Sequence, residues 1–205
     1  MGFKERLTKE WLFWDGGTGS VLQSWGLQAG ELPETWNINH PEKIIELNKG
    51  YLEAGCDIIN TNTFGANRLK YPDNLEEIVT KAVEHAKKAR KLTGRGDALI
   101  ALDLGPTGKL LEPLGDLSFD DAVDIYAEVI EYGTKAGADV ILIETMQDSY
   151  ELKAAVLAAK EHSHLPVCAT VVFDEKGKML TGGTPESVVA LLEGLHVDAL
   201  GINCS

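Results

Sequence analysis

The feature that most restricts the fold of this 205-residue chain is a set of six short apolar runs, each followed by a helical pattern. The runs are Trp11–Trp14, Asp57–Thr61, Ala98–Asp103, Asp139–Glu144, Pro166–Val172 and Ala199–Asn203, spaced about 30–45 residues apart. They are continuous rather than alternating, the pattern of parallel strands covered on both faces. Helices are expected between them. Pro41–Ala54 follows Asn39-His40 and stops at Gly55, Leu75–Leu92 stops at Gly94, and Phe119–Ala136 runs from a Ser118 cap to Gly137. Tyr150–Glu161 follows Ser149, and Pro185–Leu195 follows Thr184, with proline pre-organised for a first helical position. Strand and helix in alternation mean a parallel α/β sheet.

Two parallel architectures compete. A doubly wound sheet needs a glycine-rich phosphate turn after its first strand, and Asp15-Gly-Gly-Thr-Gly19 lacks the G-x-G-x-x-G spacing. A (β/α)8 barrel of the TIM type instead places polar residues at the carboxyl ends of several strands. Asp15, Asn60, Thr61, Asp103, Glu144, Asp174, Asn203 and Cys204 fit that pattern. The barrel is therefore the expected fold, with residues 1–205 forming a single domain. The chain stops at Cys204-Ser205, just past the sixth run. Closing the barrel takes about 50–100 further residues, two more βα units, so the domain is expected to be incomplete at its carboxyl end.

Composition excludes several classes. A net charge of −13 argues against binding nucleic acid, which needs a basic face. No apolar run approaches the roughly 20 residues of a membrane span, and the charged amino terminus is no signal peptide. Three widely spaced cysteines, Cys56, Cys168 and Cys204, suit a reducing, cytoplasmic setting.

Four places could carry chemistry. The glycines of Asp15-Gly-Gly-Thr-Gly-Ser20 let backbone N–H groups approach an anion such as a carboxylate, although the same turn could simply join strand to helix. Asn60-Thr-Asn-Thr-Phe-Gly-Ala66 offers donors and acceptors for an amino-acid head group, or caps its own turn. Glu144 ends the most apolar run, where a carboxylate must be paired, protonated or facing a ligand. A substrate ammonium and a structural hydrogen bond are both open there. Cys204 could be a metal ligand, a nucleophile or a small core residue, and no histidine is placed to activate it. Asp103 reads as part of a rigid loop with Gly105-Pro-Thr-Gly108, and Cys56 and Cys168 as core.

In combination these segments are more specific. Asp15-Gly-Gly-Thr-Gly19, Glu53-Ala-Gly-Cys-Asp-Ile-Ile-Asn-Thr-Asn-Thr-Phe-Gly-Ala66, Leu104-Gly-Pro-Thr-Gly108, Ala138-Asp-Val-Ile-Leu-Ile-Glu-Thr145 and Gly201-Ile-Asn-Cys204 resemble, in order, the homocysteine S-methyltransferase domain. The resemblance extends from about Trp11 to Ser205 and includes Glu151–Ala159 and the hairpin-like Phe173–Gly182. It is nearest to the amino-terminal homocysteine-binding module of cobalamin-dependent methionine synthases. It implies zinc-dependent methyl transfer to homocysteine, with three cysteines on the metal and the substrate thiol ionised in the open position.

By this resemblance Cys204 matches a zinc ligand. Asp15 and Glu144 match the carboxylates on the substrate ammonium, Gly16, Gly17 and Thr63 the region receiving its carboxylate, and Asn203 joins the substrate-binding set. No residue is singled out as catalytic. The Gly-Gly-Cys-Cys-Gly motif carrying the other zinc cysteines is absent from this sequence. Zinc is therefore expected to be weak or missing in this form. Cobalamin and methyltetrahydrofolate are expected only through modules outside the chain.

Two hypotheses follow: a methyltransferase domain that is inactive by itself, and a purely binding or structural fragment of such a barrel. An aldolase-type barrel would need a strand-end lysine, and none is present. The edges of the first and sixth runs, with Trp11, Phe13 and Trp14 forming an apolar patch, are expected to recruit either a second copy or the remainder of the domain.

Overall fold

The computed structural model describes residues 2–205. Five strands lie parallel in one sheet, ordered as they occur in the chain: β1 (Ile58–Asn60), β2 (Leu99–Leu104), β3 (Val140–Met146), β4 (Val167–Val171) and β5 (Ala199–Ile202). The helices are α1 (Phe3–Leu7), α2 (Thr18–Ser24), α3 (Trp36–Asn39), α4 (Pro41–Glu53), α5 (Leu75–Leu92), α6 (Phe119–Ala136), α7 (Ser149–His162) and α8 (Pro185–Gly194), with a 3-10 turn at Pro33–Thr35.

The run Trp11–Trp14 is not a sixth strand. It takes its expected place beside β1 but contributes a single parallel bridge, Trp14 to Ile58. The Asp57 and Ile58 amides both donate to the Phe13 carbonyl, at 2.7 and 3.2 Å, and Asp15 N–H donates to the Ile58 carbonyl at 3.0 Å. Side chains continue the pattern on either side: Asp57 Oδ2 accepts the Phe13 amide at 3.0 Å and Asp15 Oδ2 accepts the Asn60 amide at 2.7 Å. Two carboxylates thus hold this segment where ladder bonds would in a regular strand.

Both faces of the sheet are apolar for different reasons. Leu102, Leu104, Ile141, Ile143, Val167, Ala169 and Val171 point outward and form the main core with α5, α6, α7 and α8. Ile58, Leu99, Ala101, Val140, Leu142 and Cys168 point to the other side, where they pack with Phe3 of α1 and with Leu12 and Trp14. Burying each large aliphatic side chain contributes about 1.5–3 kcal/mol. This double coverage explains why the runs read as continuous. Gly133 of α6 lies against fully buried Leu102, and a Cβ there would collide with the leucine methyls.

Local signals set the helix ends. Ser118 accepts the Asp121 amide at 3.1 Å to start α6, and Gly137 ends it in the left-handed conformation at φ 89°. Thr184 and Ser187 form a reciprocal capping box on α8. The α7 helix starts at Ser149 rather than after it, because the Asp148 carboxylate caps it through the Tyr150 amide at 2.7 Å. Phe173–Gly182 forms turns, with Asp174 N–H on the Lys178 carbonyl at 2.8 Å, and no strand pair.

α1 closes the amino ends of the strands. Phe3 is buried beneath them, and Arg6 donates to the Asp97 carbonyl at 2.9 Å and to Asp57 at 3.0 Å, while Lys4 pairs with Asp198 at 2.7 Å. At the sheet margins Trp11 is 91% exposed, Phe13 67% and Ile202 61%. Trp14, expected to join that patch, does not. Its ring meets Phe3 edge-on and its indole N–H donates to Asn60 Oδ1 at 2.6 Å. Among the described residues no helix is long and apolar enough to cross a membrane.

Candidate active site

On the concave face, strand parity sorts the residues into layers. Leu99, Ala101 and Asp103 of β2 share one face, as do Val140, Leu142 and Glu144 of β3. The lower members are apolar and close the interior. The upper members, Asn60, Asp103, Glu144 and Thr170, line a cavity of about 780 Å³ at the carboxyl ends of the strands. Asp15, Gly16, Gly17, Asn203 and Cys204 line the same cavity, so Thr63 is the one expected site residue missing from it.

Thr63 is fully buried. Its hydroxyl donates to the Asp103 carbonyl at 2.7 Å and lies 2.7 Å from the Thr61 hydroxyl, and its amide donates to the Thr61 carbonyl at 2.9 Å. With both groups engaged, it has no donor left for a ligand carboxylate. Much of the Asn60–Ala66 run is similarly committed. Asn62 donates to the Pro33 carbonyl at 2.9 Å and to Asn37 Oδ1 at 3.0 Å, pinning this loop beneath the 3-10 turn.

Asp15-Gly-Gly-Thr-Gly19 is drawn tight. The Asp15 carboxylate is tied to β1, and a Cβ at Gly16 would lie 3.2 Å from the Tyr51 hydroxyl oxygen. Gly17 begins α2 with no side-chain cap, which leaves the amides of the first helical turn free of side-chain acceptors. Asp15 Oδ1 is sealed from solvent and has no partner among the described residues. Burial, opposed by the Asn60 amide and reinforced by the Glu144 charge, pushes the Asp15 carboxyl up to about 7.

Glu144 is held from β5. Asn203 Nδ2 lies 3.4 Å from Glu144 Oε2 and 2.8 Å from Thr145 Oγ1, and Asn203 Oδ1 accepts the Thr145 amide at 3.0 Å. Thr145 has φ 60°, the left-handed region that a β-branched residue rarely enters. Asn203 therefore spends its amide on the protein. These bonds orient the end of β3 and hold Asn203, expected in the substrate-binding set, on the cavity wall. Burial raises the Glu144 carboxyl above its ordinary range.

Sequence reasoning undervalued four residues of the cavity. Asp103, whose register partner on β3 is Leu142, lines the cavity with Glu144 and is almost wholly buried, and burial followed by the charges of Glu144, Asp15 and Glu34 holds its carboxyl well above the usual range. The signal was strand parity, since Asp103 shares a face with Ala101 just as Glu144 does with Leu142. Glu34 reaches the rim from the 3-10 turn, accepting the Gly65 amide at 2.6 Å and the Tyr71 hydroxyl at 2.7 Å. Phe64, partly exposed, closes over Gly105, where any Cβ would run into its ring. Lys70 is the lone lysine or arginine on the wall.

Cys204 is exposed at φ 52° with its thiol 3.6 Å from Asn203 Nδ2. Cys168 also borders the cavity, but burial pushes its thiol up to about 12, so it stays protonated. A zinc site needs at least three protein ligands. Among the described residues no group of three or more His, Cys, Asp or Glu is disposed to hold a metal ion. One available thiol does not fit that requirement.

Comparison with known proteins bears on the family and the fold. The chain is 31% identical to the methionine synthase of Mycobacterium tuberculosis over 209 residues, covering 93% of this chain and 17% of that protein. The apo crystal structure of the homocysteine methyltransferase MmuM from Escherichia coli superposes with a TM-score of 0.78 at 25% identity, covering 97% of this chain and 74% of that one. Its metallated form gives a TM-score of 0.85 at 24% identity, over 97% and 76%. These matches make the five-stranded sheet part of a TIM-barrel-like methyltransferase fold. Residues 12–205 match the homocysteine S-methyltransferase family throughout, and the chain belongs to that family.

Proposed function

We propose that residues 1–205 act as one homocysteine-binding domain of a cytoplasmic methyltransferase that makes methionine. The observation carrying this reading is the charge layout of the cavity in a member of this family: carboxylate oxygens without partners on Asp15 and Asp103, a Glu144 carboxylate met by the long 3.4 Å approach of Asn203, and the uncapped turn at Gly16 and Gly17, all lining one cavity. An α-amino acid needs that pairing, anions for its ammonium and N–H groups for its carboxylate. Asp15 and Glu144 take the ammonium, Gly16 and Gly17 the carboxylate, and Asn203 positions Glu144. The side chain then extends along the wall bearing Leu142, Cys168 and Ala199 toward Cys204.

In the transfer the homocysteine thiol gives up its proton, its sulfur forms a bond to the methyl carbon, and the bond from methyl to donor breaks. The metallated relative supports a metal for thiol activation in the family, but the donor set described above does not supply one, so the domain's own contribution is grip and orientation. Methyl transfer then needs ligands and a donor from outside these residues, whether from a second copy or from further chain docking along the β5 margin.

Titration calorimetry with L-homocysteine tests the reading, with 4-mercaptobutanoate (no ammonium) and 3-aminopropane-1-thiol (no carboxylate) as controls. Saturable homocysteine binding, at least tenfold tighter than either control, is expected. Equal affinity for all three, or no saturation, overturns it.

A further inference from the structure

The buried acids of this fold fall into two groups. Glu34 and Glu151 are almost wholly buried, and each carboxylate accepts two or more hydrogen bonds. Glu34 takes the Gly65 amide and the Tyr71 hydroxyl, while Glu151 Oε1 takes the Thr107 amide at 2.8 Å, the Thr107 hydroxyl at 2.6 Å and the Tyr126 hydroxyl at 3.1 Å. Asp103 is just as buried, at 4% exposure, yet its carboxyl accepts no hydrogen bond among the described residues, and Oδ1 is sealed without a partner. Its backbone is fixed at both ends instead. The Asp103 amide donates to Thr61 Oγ1 at 3.2 Å, and its carbonyl accepts from Thr63 Oγ1 at 2.7 Å. A residue so tightly held whose carboxyl is left empty is costly to the fold, because buried polar groups are otherwise paired.

The empty acceptors gather in one place. Asp103 lines the cavity with Asp15, whose Oδ1 is orphaned, and with Glu144, whose one contact is the long 3.4 Å approach of Asn203. The other charged groups on that wall are Glu34, already satisfied, and Lys70. A primary ammonium carries three N–H donors and no acceptor. Building on the proposed amino-acid site, we infer that Asp103 is a third ammonium acceptor, completing with Asp15 and Glu144 a seat that selects an unsubstituted primary α-amino group over N-alkylated or N-acylated ones. The role does not require Asp103 to be ionised, since a protonated carboxyl still presents its carbonyl oxygen. An N-methyl amino acid has only two N–H groups, so it leaves one acceptor unfilled and puts a methyl group against it, and unpaired buried acceptors are how sites reject near-identical ligands.

The test compares L-homocysteine with N-methyl-L-homocysteine by calorimetry on the full chain, wild type and Asp103→Leu. The wild type is expected to prefer homocysteine by about ten- to a hundredfold, the loss of one charge-assisted bond. In Asp103→Leu, which keeps the branched shape and removes every acceptor, that ratio is expected to fall to within about threefold, with thermal unfolding still cooperative. Asp103→Ala serves the same comparison if the leucine variant fails to fold. A variant that keeps the wild-type ratio overturns the inference and leaves the amino-acid site standing. A wild type that binds neither compound overturns both, while a wild type that binds both equally sinks only the selectivity.

Discussion

Replacing Asn203 should damage both the fold and the ligand grip. Asn203→Ala removes two sound hydrogen bonds to Thr145, at 3.0 and 2.8 Å, and one marginal approach to Glu144 at 3.4 Å. Each sound bond contributes about 0.5–1.5 kcal/mol net, and the marginal one can be neglected at that distance. The Thr145 backbone at φ 60° adds a further cost of about 1–3 kcal/mol that these bonds now hold in place. The expected loss is about 2 kcal/mol, or a drop of about 4–8 °C in melting temperature for a chain this long. Asn203→Asp is the sharper probe. Its carboxylate can still accept the Thr145 amide but cannot donate to Thr145 Oγ1, and it places a negative charge beside Glu144. Stability should fall less than in the alanine variant, whereas homocysteine affinity should fall more. Urea unfolding and calorimetry on both variants measure the two effects. A full-strength melting temperature in Asn203→Ala combined with lost affinity would mean that Asn203 contacts substrate directly and that its role in positioning Glu144 is wrong.

Other expectations concern the core, the acids and the metal. Gly133→Ala gains up to about 1 kcal/mol of helix propensity but overpacks Leu102 at a cost of about 1–3 kcal/mol, so urea melts should show net destabilisation, and Leu102→Ala should cost less in the Gly133→Ala background than in the parent chain. Asp15, Asp103 and Glu144 all titrate above their ordinary range, so the folded chain keeps protons that the unfolded chain has already lost. Stability should therefore fall as pH rises from about 4 to about 7, with a higher urea midpoint at about pH 5 than at about pH 8, and Asp103→Asn should flatten the difference. Elemental analysis of the dialysed chain should find well under one zinc per polypeptide, and a stoichiometric, tightly held zinc would mean that other donors join Cys204.

The parts of the fold legible in the sequence are those where one physical cause dominates. β2, β3, β4 and β5 read clearly because packing on both faces leaves little room for polar residues. The boundaries of α5 and α6 are as expected, with left-handed Gly94 and Gly137 marking where they stop. Trp11–Trp14 has the composition of a strand, but its backbone pairing stops at one bridge and is extended by the Asp57 and Asp15 carboxylates, which composition does not report. α1, α2 and α3, at 5, 7 and 4 residues, are too short for periodicity to show. In the site, Asp15 and Glu144 stood out as single acids closing apolar runs. Asp103 gave the same signal but was absorbed into the reading of the adjacent Gly-Pro loop. Thr63 and Asn203 entered the expected site through the family resemblance, and a sequence does not show that their donors are engaged with Asp103, Thr61 and Thr145. Glu34, Phe64 and Lys70 reach the rim from loops whose placement depends on long-range contacts such as Glu34 with Tyr71.

The plug formed by α1 separates two properties that are usually entangled. Phe3, Arg6 and Lys4 bind the amino ends of the strands to Asp57, Asp97 and Asp198, away from the cavity. The wall bearing Asp103 and Glu144 lies toward the other end of the sheet, with Asp103 six residues beyond Asp97. Loops around the cavity can therefore drift in sequence without loosening the floor, and a change in the floor can weaken the fold while leaving ligand preference intact. Specificity is free to evolve on one side of the sheet because robustness is kept on the other.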